Sequence, residues 1–224
     1  MSFGDKKLSE IAVSVPGSTS LLREYDLDFC CDGSDTLANA AAEKGLNLAE
    51  IETRLTELQN SKAENPEEYW VNATYPEIID HILVRYHQRH REQLQELIVL
   101  ADRVESVHGD REDCPMGVAV ELRNVYEDLS NHMMKEEHVL FPMIKAGNYM
   151  MAQMPIRMME MEHAEHGEHL EVLKSLTNNM TPPADACNTW LALYSGIQEF
   201  IDDLMMHIHR ENNILFPRVI AENH

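Results

Sequence analysis

Apolar residues recur at three- and four-residue steps through most of the chain, and no run alternates with the period of two expected of a strand. The pattern predicts an all-α protein. Short helices are expected near Leu8–Val13, Ser18–Tyr25, Leu37–Lys44 and Leu48–Leu58, making a small N-terminal helical domain over residues 1–58. Residues 59–73 (QNSKAENPEEYWVNA) are polar, contain Pro66, and read as a linker. Four longer helices are expected over 74–224. The first opens at Thr74, with Pro76 early and Glu77 three residues on, a capping-box signature, and stops before Gly109. The second runs from beyond Pro115 to near Lys145, the third over about Pro155–Leu176, and the fourth over Ala184–Val219. Pro142 and Pro217 fall late in their helices, where each should kink or end the regular turn. Four such helices with short connections make an up-down bundle.

A segment of the second helix returns in the fourth: EDLSNHMMKEEHVLFP at 127–142 and DDLMMHIHRENNILFP at 202–217. Each copy holds a histidine and a glutamate four residues apart, His132/Glu136 and His207/Glu211, which a helix places on one face. The alternate helices carry His87-Gln-Arg-His90 and His163-Ala-Glu-His166, so each half of the bundle is one helix with central histidines and one with His-x-x-x-Glu.

At about 100° per residue, His132 shares a face with Val125, Leu129, Val139 and Met143. His207 shares one with Phe200, Leu204 and Ile214, and His87 is flanked by Leu83, Val84, Leu94 and Ile98. A lone histidine on an apolar face is usually a satisfied core residue, and a single i,i+4 His/Glu pair an ordinary helix contact. The duplication changes that balance, because carboxylates buried on two apolar stripes need compensation that a shared cation provides. Four imidazoles and two carboxylates exceed one tetrahedral zinc and suit two five- or six-coordinate ions bridged by the glutamates. Iron fits this ligand mixture, with manganese and zinc also admissible. Spacing does not choose between His87 and His90, or between His163 and His166. His81, His108, His138, His169, His209 and His224 read as surface residues. Asp128 and Asp203, one turn before the histidines, are candidates to orient a ligand or line a polar channel, with Glu162 a weaker one.

Composition narrows the function further. With 18 basic against 39 acidic residues, the net charge of −21 argues against nucleic acid or an anionic membrane surface as partner. No apolar stretch approaches the ~18 residues of a membrane span, and the N-terminus lacks a secretory pattern. Four cysteines, two of them adjacent, do not resemble a disulfide framework, which points to the cytoplasm. Cys30 and Cys31 are expected on an exposed loop before a helix N-terminus, as redox thiols or as ligands for a metal in transfer. Cys114 and Cys187 read as structural, and the paired methionines as core filling.

YDLDFCCDG near the N-terminus, joined to RYHQRHRE, HMMKEEHVLFPMI, MEHAEH and HIHRENNILFPR, resembles the iron–sulfur cluster repair di-iron proteins, a repair-of-iron-centres family with a hemerythrin-like bundle. The resemblance spans essentially the whole chain. It implies a cytoplasmic stress-response protein with two oxo- or hydroxo-bridged iron ions, acting on damaged iron–sulfur proteins as clients. It implies His87, His132, Glu136, His163, His207 and Glu211 as ligands, and Asp128 and Glu162 along an acidic path. The aspartate is shorter than the glutamate expected there. Nitric oxide and dioxygen are candidate ligands of the irons, and a homodimer is an admissible assembly. Competing readings are a nitric oxide or peroxide reductase drawing electrons from Cys30 and Cys31, and a sensor or carrier of a diatomic gas.

Overall fold

The computed structural model describes residues 2–31, 33–61 and 64–222, so His224 lies outside the described residues. Every regular element among them is helical, apart from one isolated antiparallel bridge between Lys7 and Thr36. The chain divides into two compact units, residues 1–78 with 206–224, and residues 79–205.

In the first unit, α1 (Leu8–Ser14), α2 (Ser18–Glu24), α3 (Leu37–Glu43) and α4 (Leu48–Asn60) enclose a core that includes Leu8, Ile11, Leu22, Phe29, Leu37, Ile51 and Leu55. The starts of α3 and α4 follow from side-chain caps: Thr36 Oγ1 accepts the Asn39 amide at 3.3 Å, and Asn47 Oδ1 accepts that of Glu50 at 3.4 Å. The expected linker holds a further helix, α5 (Pro66–Asn72). Asn65 caps it and Pro66 opens it, since a proline's missing N–H costs nothing in the first turn.

Residues 79–205 form an up-down bundle from parts of four helices: α6 (75–108), α7 (118–145), α8 (Tyr149–Leu176) and α9 (188–221). Thr74 and Glu77 make the reciprocal capping bonds at the start of α6, at 2.8 Å and 3.4 Å. Gly147, with φ of 73°, closes α7: its amide reaches the Ile144 carbonyl and the Asn148 amide the Met143 carbonyl, both at 3.0 Å. Leu94, Leu97, Ala101 and Val104 of α6 are buried, as are Leu122, Val125, Leu129 and Met133 of α7. Ile156, Leu170 and Leu173 of α8 and Trp190, Leu193, Ile197 and Phe200 of α9 complete this core.

Helix α8 starts six residues before Pro155 and passes through it. The turn it disrupts carries Met150, Met151 and Met154, all exposed, so solvent can satisfy the backbone there. These methionines, with Met134, Met158 and Met161, do not fill the core as expected; Met133 and Met159 do.

Three helices widen to a π turn: α6 at Ile82–His87, α7 at Glu136–Leu140 and α9 at Glu211–Leu215. The Phe141 amide bonds the Glu136 carbonyl and the Phe216 amide that of Glu211, each five residues back. Proline at 142 or 217 lacks the next donor and clashes with a regular preceding turn; the extra residue relieves that clash, and the helix continues to Lys145 or Ala221. The added residue also shifts the apolar register. Val84 and Val139, placed inside by a strict 3.6 period, are exposed, while Ile82 and Leu140 are buried.

Candidate metal centre

The π turns begin or end on candidate ligands: His87 closes the turn in α6, while Glu136 and Glu211 open those in α7 and α9. Such turns often mark functional positions because they re-aim a side chain without ending the helix. In residues 79–205, His87 Nε2 lies 3.3 Å from Glu136 Oε2, and His132 Nε2 lies 3.4 Å from the same oxygen. His163 Nε2 lies 3.1 Å from His132 Nε2. Ligand atoms of His132, Glu136 and His163 all fall within 4.8 Å of one another. In the other unit, His207 Nε2 is 3.3 Å from Glu211 Oε1. All six side chains are buried, none more than 1 % exposed.

These separations fit the edges of a coordination polyhedron. Two adjacent ligands each about 2.1 Å from an ion, at right angles, stand about 3 Å apart. Imidazole nitrogens and carboxylate oxygens are the donor set of iron, manganese or zinc, so the residues present fit a metal ion.

On His87 and His132 the ring nitrogens facing away from the cluster are fixed as well. His87 Nδ1–H donates to Glu137 Oε1 at 2.8 Å, an oxygen that also accepts from Arg91 at 2.7 Å. His132 Nδ1–H donates to Glu162 Oε2 at 3.0 Å, and Lys135 holds the other oxygen of that carboxylate at 2.5 Å. Both carboxyls are held down to about 2, Glu137 by His87 and then Arg91, Glu162 by His132 and then Lys135, against the opposing effect of burial. An ionised carboxylate on Nδ1–H leaves Nε2 as the lone-pair donor, the tautomer a metal needs. Glu137 was missed by sequence reasoning. It belongs to the same Lys-Glu-Glu run as Glu136, but only the widened turn indicates that two consecutive carboxylates serve the same cluster.

His90 and His166 are buried too; the His166 ring lies 4.9 Å from that of His132. His90 Nδ1 lies 3.3 Å from Gln93 Oε1, whose amide Nε2 donates to Asp203 at 3.0 Å. Asp203 also takes both Arg85 guanidinium nitrogens, at 3.1 Å and 2.5 Å, so it braces α6 against α9 and does not orient a ligand histidine. Burial, followed by the charges of His132 and His163, pushes the His166 imidazole down to about 2. Asp128 is exposed and accepts from His169 Nε2 at 3.1 Å instead of reaching His132. His169 is half-buried; burial lowers its pKa, but the Glu121 carboxylate at 2.6 Å more than reverses this.

His209 is a correction: it is fully buried in the first unit, not at the surface. Helical period places it off the stripe of His207, yet Phe29 packs edge-on against its ring, and its Nε2 lies 3.5 Å from Glu67 Oε2. Glu67 also takes the Arg210 guanidinium, itself stacked over Trp70. Burial pushes the Glu67 carboxyl up, and its contacts with His209 and Arg210 more than offset that.

Cys30 is likewise not on an exposed loop. It is buried, and its Cys31 contact, burial and Asp28 raise its thiol well above the ordinary range. Cys187 is exposed at the start of α9, with Sγ 3.3 Å from His108 Nε2; the Trp190 amide, then His108, lower its pKa.

Residues 78–219 match the Hemerythrin HHE cation binding domain, and residues 4–59 match a Domain of Unknown function (DUF542). A relative from Haemophilus influenzae, named probable iron-sulfur cluster repair protein, is 68 % identical over 99 % of this chain and 100 % of its own length. The chain belongs to the iron–sulfur cluster repair protein family. Other members are the iron-sulfur cluster repair proteins YtfE of Musicola paradisiaca, 54 % identical over 98 % of both chains, and of Escherichia coli O81, 55 % identical over 99 % of both. The hemerythrin part of the family signature contains all six candidate ligands. Among the described residues, no helix is long and apolar enough to cross a membrane.

Proposed function

We propose that this chain is a cytoplasmic non-haem di-iron protein that helps restore iron–sulfur clusters in damaged client proteins by supplying iron. In this reading residues 1–58 are the vicinal-cysteine domain, 59–73 the link, and 74–224 the hemerythrin-like bundle. His87, His132, Glu136, His163, His207 and Glu211 hold two irons, with the glutamates and an oxo or hydroxo group as bridges. The supporting observation is Glu136, fully buried with two imidazole nitrogens 3.3 Å and 3.4 Å from one of its oxygens. In the sequence repeat, His207 Nε2 lies 3.3 Å from Glu211, against 3.4 Å for His132 and Glu136. Burying such a carboxylate is costly without a cation to share it.

When bound, iron would supply a redox-active, transferable pair of cations. The chain sets how firmly they are held. Two carboxylates and four neutral imidazoles leave two dications with more uncompensated charge than the four-glutamate, two-histidine di-iron bundles, which favours release. Glu137 and Glu162 keep His87 and His132 in the tautomer that presents Nε2, and the apolar packing of Leu129, Met133, Leu140 and Phe141 limits access of water.

Glu136→Leu, Glu211→Leu and the double variant test the reading. The double variant should stay helical and lose both ions; two ions still bound, by metal analysis, would overturn the bridging assignment. Isotopically labelled iron should pass from the wild-type chain into an inactivated cluster protein, and absence of transfer would overturn repair by iron supply.

A further inference from the structure

Consecutive side chains on an extended segment point apart, so two adjacent thiols make a poor chelate. The loop at Cys30 and Cys31 is not extended. Asp28 Oδ1 accepts the amides of Cys30 at 3.0 Å and Cys31 at 2.9 Å, an Asx fold that brings both thiols to one side. The two Sγ atoms then lie 3.7 Å apart, and Cys30 Sγ lies 3.4 Å from Asp28 Oδ1. Ligand atoms of the three residues fall within 4.8 Å of one another. A tetrahedral ion with metal–sulfur bonds of about 2.3 Å and a metal–oxygen bond of about 2.1 Å needs edges of about 3.75 Å between sulfurs and about 3.6 Å between sulfur and oxygen. The loop provides both edges to within about 0.2 Å.

We propose that Asp28, Cys30 and Cys31 form a second metal site, which takes one thiophilic divalent cation and leaves its fourth position open. Three groups that would be anionic together are costly to hold side by side in a part-buried loop, and the high Cys30 thiol reflects that cost. A cation removes it: the ion binds two thiolates and one carboxylate, and two thiol protons pass to solvent. Ferrous iron and zinc share this chemistry.

The position of the site suggests its cargo. Asn212 and Asn213 follow Glu211 directly in the π turn of α9. Their amides donate to the Cys30 carbonyl at 2.9 Å and the Phe29 carbonyl at 2.8 Å. The thiol loop is thereby pinned to the turn that carries a candidate iron ligand. Resting on the function proposed above, this makes the loop a port for ferrous iron, with the open position available to a client thiolate.

The test uses the full chain, iron-loaded and reduced under argon, titrated with cobalt(II). One equivalent should bind with thiolate-to-cobalt charge-transfer absorption and release of two protons. Cys31→Ser, at the half-buried position, and Cys30→Ser should abolish the absorption. Asp28→Asn should weaken binding at least about tenfold, and Cys114→Ser and Cys187→Ser should leave it intact. No such absorption in the wild type, or an undiminished band in both Cys30→Ser and Cys31→Ser, would overturn the site. For the cargo, Cys31→Ser should keep iron at the histidine cluster yet pass labelled iron to a client at least about tenfold more slowly; an unchanged rate would overturn the port. Cobalt absorption reads sulfur ligation alone, so failure of the histidine–glutamate centre would leave that result standing and remain distinguishable from it.

Discussion

His87 Nδ1 and Glu137 Oε1 stand 2.8 Å apart, joining a buried ring to a carboxylate that Arg91 also holds. Glu137→Gln retains the shape and removes the charge that polarises the ring. Affinity for metal at the histidine cluster should fall by about 10–100-fold, the usual effect of losing such a partner. Competition with a chromophoric chelator would measure this, and unchanged affinity would show that the bond does not orient His87.

The same carboxyl and Glu162 give the metal-free protein a pH signature. Both are held at about 2 in the folded chain against an ordinary value of 4.5. Their contribution to stability is fully present above about pH 4.5 and is lost as pH falls towards about 2. Denaturant unfolding at about pH 5 and about pH 3 should show the wild type losing stability between the two. A Glu137→Gln/Glu162→Gln variant should lose distinctly less.

Glu67 and Arg210 form a buried pair in the first unit, 6 % and 3 % exposed. Glu67→Ala leaves the guanidinium without its carboxylate and should destabilise the protein by about 3–5 kcal/mol. Replacing both, as Glu67→Leu/Arg210→Met, should recover much of that loss. Thermal unfolding of the single and double variants would decide it.

Gly33 is needed for close approach: a Cβ there would stand 2.4 Å from the Phe29 carbonyl oxygen. Gly33→Ala must therefore displace the carbonyl that accepts from Asn213, at a cost of about 1–3 kcal/mol. A melting temperature equal to wild type would contradict this.

Legibility in the sequence followed the range of each signal. Helix starts at Thr36, Asn47 and Thr74 rest on residues within one turn, and their caps are present as local rules suggest. Val84, Val139 and Pro155 were misjudged because one added residue, or one solvent-facing turn, suspends the regular period without a local mark. His209 was misjudged for a different reason. Its burial depends on Phe29 and Glu67, distant in sequence, and helical phase sees only one helix at a time. The duplicated His-x-x-x-Glu was visible because it is a pattern of spacing. Glu137 needed coordinates because its role depends on a cross-helix distance.

The widened turns after Glu136 and Glu211 have a consequence for length variation. Each behaves as a one-residue insertion accommodated within a helix. Excising one residue between 137 and 139 would restore regular α spacing and leave everything beyond it facing as before, because five steps of about 80° across the widened turn equal four of about 100°. Phe141 and Ile144, now enclosed, would stay enclosed, whereas the same deletion in a regular stretch such as 122–133 would rotate them by about 100° towards water. The cost would fall on Pro142, whose ring needs the wider turn ahead of it, so shortening there strains the backbone without changing which side of the helix is the inside.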